Sequence, residues 1–158
     1  DGPMRPELET LARDLGVGDA VKFLGVTNLM PTLYRACDAF AHAAVREGLG
    51  LAIIEAMSTG LPVIAARAAA LENFLDHERN ALLAPLDDAD GLAEGLARVL
   101  TDPPLAATLG EAGRRTAVER FAVDRMVRDY ERLYEDALAS TIPAPHGREA
   151  PTGRAAGG

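Results

Sequence analysis

The stretch REGLGLAIIEAMSTGLPVIA, Arg46 to Ala65, constrains the fold more than any other part of this chain. It opens as a loop broken by glycines and continues with apolar residues at helical spacing until Gly60. It then enters Pro62–Ala66, a short apolar run of the kind buried on both sides. The run AFAHAA, Ala39 to Ala44, reads as a strand just before it. Strand, glycine loop, helix, strand is the unit of a parallel sheet with helices on its faces.

The rest of the chain extends that pattern. RPELETLARDLGVG places Leu8, Leu11, Ala12 and Leu15 on one helical face, with Pro6 in the first turn and Gly16 just past the end. Val21 to Gly25 (VKFLG) is expected to be a buried strand, and MPTLYRACD a short helix starting near Pro31. LENFLDHERN reads as a short helix and turn, and ALLAP as a last strand. Helices are expected at about Asp88–Leu100, Pro104–Arg120 and Val123–Ala139. From Thr141 the Pro-, Gly- and Ala-rich sequence has no periodicity, so residues 1–140 are expected to be one domain and 141–158 a disordered tail.

Composition narrows the function. At 158 residues and 48% hydrophobic, the chain can bury one real core. A net charge of -8 speaks against a nucleic-acid groove, which needs a basic surface. The single cysteine, Cys37, allows no internal disulfide and reads as a small core residue. No apolar run reaches the ~18 residues of a membrane span. The expected location is cytoplasmic, and a chain starting at Asp1 reads as a piece of a longer protein.

Glu47 and Glu55 stand out, because a core helix has no need of them. Ligands of open parallel sheets bind outside the carboxyl ends of the strands. Glu47-Gly48-Leu49-Gly50 lies at such an end and opens a helix, whose first N–H groups favour an anion. Gly48 and Gly50 would let backbone approach a phosphate or sugar, Glu55 could accept two hydrogen bonds from a ribose diol, and Glu47 could face sugar hydroxyls or developing positive charge. The plain alternative is chance. Among 24 acidic residues, a pair of glutamates eight apart is common, and this is not the G-x-G-x-x-G of dinucleotide-binding enzymes.

EGLGLAIIEAMSTGLPVIA resembles the E-x7-E donor-site signature of the retaining GT-B glycosyltransferases of family 4, the glycosyl transferases group 1 domain. The resemblance extends over DGPMRPELETLARDLGVGDAVKFLGVT, ERNALLAPLDDADGLAEGLARVL and the closing helices LGEAGRRTAVERFAVDRMVRDYERLYEDAL. It implies an α/β fold, a partial Rossmann-like GT-B C-terminal domain with a short parallel sheet flanked by helices. It implies Glu47 as the catalytic carboxylate, Glu55 on the nucleotide ribose, and Gly48, Leu49, Gly50 and Leu51 beside the sugar and diphosphate. Thr27 matches a position that meets the base through its backbone. It further implies a nucleoside-diphosphate-sugar as substrate, no cofactor and no catalytic metal.

Some positions depart from the pattern. Ala43-Ala44, preceded by His42, stand where Pro-Ser is common, and His42 reads as a packed or exposed residue. Ala69-Ala70 replace a Gly-Gly turn, so that loop is expected to differ in shape. Arg67 reads as a solvated loop arginine, and His77 and His146 as surface residues. The acceptor-binding domain and the first two strands of the donor domain have no counterpart here. The acceptor, and any peripheral membrane association, would belong to that other half. Val21–Leu24 is then expected either to pair with Ala39–Ala44 or to hang loose beside a three-stranded sheet. Other readings are a sugar-nucleotide epimerase, a phosphorylase-like GT-B enzyme and a non-catalytic binding module.

Overall fold

Val63–Ala66, buried at every position, is the middle strand of the sheet. The computed structural model describes residues 2–44 and 46–140. In chain order these form α1 (Arg5–Asp14), α2 (Met30–Ala36), β1 (Phe40–His42), α3 (Leu51–Ser58), β2 (Val63–Ala66), a 3-10 turn (Leu71–Asn73), β3 (Leu82–Ala84), α4 (Ala89–Thr101), α5 (Pro103–Phe121) and α6 (Val123–Ala139). The strands make one parallel sheet in the order β1-β2-β3, with Phe40 opposite Val63 and Ile64 opposite Leu82. The chain is thus an α/β, partial Rossmann-like domain with a short parallel sheet flanked by helices.

Alternation along the strands divides the core. Ile64 and Leu82 join Val99 of α4 and Leu109 of α5, with Ala39 packed against the same cluster. The alternate residues, Phe40, His42, Val63 and Ala65, face the other way, toward α3, which buries Ile53, Ala56 and Met57. Gly95 lets α4 approach β2, because a Cβ there would lie 2.9 Å from Ile64. A Cβ on Gly110 would strike the carbonyl oxygen of Gly60, so α5 lies against the end of α3. Asn80, a buried polar side chain, ties the loop before β3 to α5. It donates to Phe74 O at 2.9 Å and Thr116 Oγ1 at 3.1 Å, and accepts from Asp76 N at 2.8 Å.

The first compact unit runs to Glu119 and the second begins at Arg120. In the second, α6 buries none of its residues and exposes Val123, Met126, Val127, Tyr130, Leu133, Tyr134 and Leu138. The expected tail, with His146, lies outside the described residues.

Several expectations need correction. Val21–Leu24 is not a buried strand. It lies outside the sheet as irregular chain, with Val21 42% and Leu24 62% exposed. A strand needs a hydrogen-bonding neighbour, and this segment bonds elsewhere: Arg5 Nη2 donates to Phe23 O at 3.2 Å, and Val21 N to Val17 O at 3.1 Å. Of the two outcomes foreseen for it, the second holds, a three-stranded sheet with this segment apart. Ala39–Ala44 shortens to Phe40–His42, since β1 has β2 as its one partner among the described residues. Cys37 is exposed rather than core: it is the extended residue just past α2, a helix that buries only Tyr34. Arg67 is the exposed loop arginine expected, and in that loop it pairs with Glu72 at 2.9 Å.

Candidate active site

Glu47 follows β1 at the carboxyl end of the sheet, in the loop that leads to α3. Its carboxylate is held from several sides. His42 Nε2 lies 2.9 Å from Oε2, and the N–H of Gly48 donates to Oε1 at 3.2 Å. The N–H of Gly50 also donates to this carboxylate. Glu47 therefore ionises below the usual glutamate range. The hydrogen bond from His42 is the main cause, partial burial works against it, and the Gly48 and Gly50 N–H groups reinforce it.

The two glycines are there for different reasons. Gly50 is left-handed, with φ 72 and ψ 48, and it is the residue from which α3 starts. A Cβ there would come within 2.8 Å of Leu71 and 3.3 Å of Ile53. Backbone conformation and packing both demand glycine at this position. Gly48 has nothing within 4 Å of a Cβ position, so it borders open space. Leu49 and Leu51, 50% and 64% exposed, flank Gly50 on the outer surface.

Glu55 sits one turn further along α3, where Tyr34 Oη donates to its Oε2 at 3.1 Å. Tyr34 is buried, and its phenol ionises above the usual range because of burial, then the hydrogen bond to Glu55 and the charge of that carboxylate. Tyr34 packs edge-on against Phe40 at 5.8 Å between centroids, and Phe40 stacks on His42 at 6.1 Å. One line of aromatic rings thus runs from Glu55 to Glu47.

The structure gathers Glu47, Gly48, Leu49, Gly50, Leu51 and Glu55 around the start of α3. Thr27 is not joined to them by a hydrogen bond: its Oγ1 accepts from Leu29 N at 3.1 Å. It lines a cleft of about 360 Å³ together with Lys22, Leu24, Tyr34, Cys37 and Phe40, between the irregular Lys22–Thr27 segment and β1. The loop after β2 turns through Ala69 and Ala70 without a positive φ, which among the described non-glycine residues occurs at Glu78 and Asp87. His77 is exposed as expected, yet its Nδ1 accepts from Leu83 N at 2.9 Å. Sequence reasoning missed Tyr34 and left His42 as a packed or exposed residue. For His42 the sequence held one clue, a strand face shared with Phe40 two residues back, whereas Tyr34 reaches Glu55 across 21 residues and left none. No group of three or more His, Cys, Asp or Glu among the described residues could hold a metal ion, and no described helix is long and apolar enough to cross a membrane.

Comparison with known proteins gives one family. The profile described as Glycosyl transferases group 1 matches residues 1–116. The chain is 30% identical over 138 residues to N-acetyl-alpha-D-glucosaminyl L-malate synthase of Bacillus anthracis, covering 87% of this chain and 36% of that protein. It is 36% identical over 136 residues to D-inositol 3-phosphate glycosyltransferase of Saccharomonospora viridis, covering 84% of this chain and 31% of that one. Among solved structures it resembles Anabaena Alr3699/HepE in complex with UDP-glucose, with TM-score 0.78 and 30% identity over 83% of this chain and 36% of that one. The chain spans about a third of the length of these relatives.

Proposed function

Because this chain belongs to the glycosyl transferases group 1 family, we propose that it is the donor-binding part of a retaining glycosyltransferase that moves a sugar from a nucleoside diphosphate to an acceptor hydroxyl. The observation that carries the reading is the convergence of Glu47 with the Gly48 and Gly50 N–H groups where β1 leads into α3. Glu47 is ionised at neutral pH, so it can face the positive charge that develops at the anomeric carbon as the diphosphate departs. Backbone N–H groups at the start of α3 face the diphosphate's growing negative charge. No catalytic metal enters this reading. The binding of UDP-glucose by the Anabaena relative supports a nucleotide-sugar donor.

Glu55 holds the ribose. Tyr34 engages Oε2, and Oε1 has no partner among the described residues, which leaves it open to a diol. Leu49 and Leu51 border the sugar, and the backbone at Thr27 meets the base. The acceptor is bound by another part of the full-length protein, and the enzyme is cytoplasmic, with any membrane contact made through that other part.

The test is UDP and UDP-glucose binding and sugar transfer in the full-length protein. Glu55→Ala should weaken nucleotide binding by about 1–3 kcal/mol, the range for losing a charged hydrogen-bond partner. Glu47→Ala should mainly lower turnover, and excess EDTA should leave transfer unchanged. Unchanged affinity in the first variant together with unchanged turnover in the second would remove the assignment.

A further inference from the structure

We propose that His42 is the positioning residue for Glu47, holding its carboxylate in one orientation at the mouth of the donor site. The inference rests on the reading of Glu47 given above and adds a residue to it.

A glutamate in a surface loop has three side-chain torsions and loses rotamer freedom when it is held. Among the described residues, Glu47 is held by neighbouring backbone, Gly48 and Gly50, and by the imidazole of His42. The backbone donors belong to the loop itself and move with it. His42 belongs to β1, which is locked to β2 by the pairing of His42 with Ala65. It is therefore the donor that fixes the carboxylate to the sheet. The contact is sheltered, with the side chains 17% and 25% exposed, so it is less screened than a surface pair.

The ring is itself constrained. Phe40 stacks on it with an interplanar angle of 20°, and Tyr34 packs edge-on against Phe40. With Nε2 toward Glu47, the imidazole donates to Oε2 while Oε1 takes the Gly48 N–H. A packing role alone would need the ring and not its nitrogen, and an exposed histidine would need neither.

The pairing is decided by carbon-13 NMR of the Glu47 carboxyl in this chain, titrated with acid. In the wild type, Glu47 should titrate below the usual glutamate range. In His42→Ala its titration should move up toward that range, and in His42→Gln, which keeps an N–H donor, it should move less. In His42→Phe, which keeps a ring without a donor, it should move as far as in His42→Ala. Amide signals from β3 and α4, which do not contact His42, should not change in any variant. An unshifted Glu47 titration in His42→Ala, or equal behaviour of the Gln and Phe variants, overturns the proposal.

The functional arm uses the full-length protein with UDP-glucose as the probe donor. His42→Ala should lose about tenfold or more in kcat with a smaller change in KM, and His42→Gln should recover part of it. Equal kcat in wild type and His42→Ala also overturns the proposal. A wild type that neither binds nor turns over UDP-glucose counts against the donor reading, and the NMR result then decides the pairing by itself.

Discussion

Tyr34 Oη donates a hydrogen bond to Glu55 Oε2 across 21 residues of sequence, joining the helix before β1 to the helix after it. Tyr34 is buried and cannot swing away, so Glu55 is anchored at one oxygen. If Glu55 serves the ribose, its orientation depends on Tyr34.

Tyr34→Phe should therefore weaken UDP binding in the full-length protein by about 0.5–1.5 kcal/mol, less than Glu55→Ala does. In a Glu55→Ala background the same substitution should have no further effect, because the partner it orients is gone. Isothermal titration of the four proteins checks this. Additive losses would show that Tyr34 acts on the nucleotide by another route.

The glycines of the loop should separate stability from binding. Gly50→Ala puts a side chain at φ 72 and 2.8 Å from Leu71, and should cost about 2–4 kcal/mol in urea unfolding. Gly48→Ala meets no atom within 4 Å and should leave stability within about 0.5 kcal/mol. A nucleotide sugar seated there should nonetheless bind Gly48→Ala more weakly. Equal stability losses in the two variants would contradict the geometry.

Acid should weaken the fold in part through Glu47. Its carboxyl ionises at lower pH in the folded chain than the ordinary value of 4.5. Between those two values the unfolded chain binds more protons, so stability rises with pH there. The contribution is fully present above about pH 4.5 and is lost as pH falls through the folded value. Urea unfolding at a series of pH values should show a shallower acid loss in Glu47→Gln than in the wild type. Parallel curves would mean that the carboxylate is no better held in the folded chain than in the unfolded one.

The free side of β1 should make this chain associate. Phe40–His42 pairs with β2 on one side, and in the cleft beside Phe40 lies Leu24, 62% exposed. An apolar edge of this kind accepts another strand. Light scattering should show mass rising with concentration, and Ala41→Lys, at an exposed position of β1, should reduce it. Sugar transfer by this chain alone should not be detectable. A monomer at all concentrations would show that the edge is covered.

The helices were legible in the sequence because their signals are local. Pro6 in the first turn, Gly16 at φ 71 and Gly60 at φ 82 mark ends that neighbouring residues decide. Pro62–Ala66 was legible as a fully buried strand because a short run without polar residues fits a sheet covered on both faces. The same reasoning failed at Val21–Leu24, since an apolar run becomes a strand only when another strand lies within hydrogen-bonding reach. Cys37 failed as well: burial belongs to the neighbour, not to the residue. At the site, the sequence by itself determined that Glu47 and Glu55 bracket the start of a helix, through the helical period and the glycines between them. Only the tertiary structure decided what holds them. The partners of Glu55 and Glu47, Tyr34 on α2 and His42 on β1, reach them through side chains that meet once β1 has paired with β2 and α3 has packed across it.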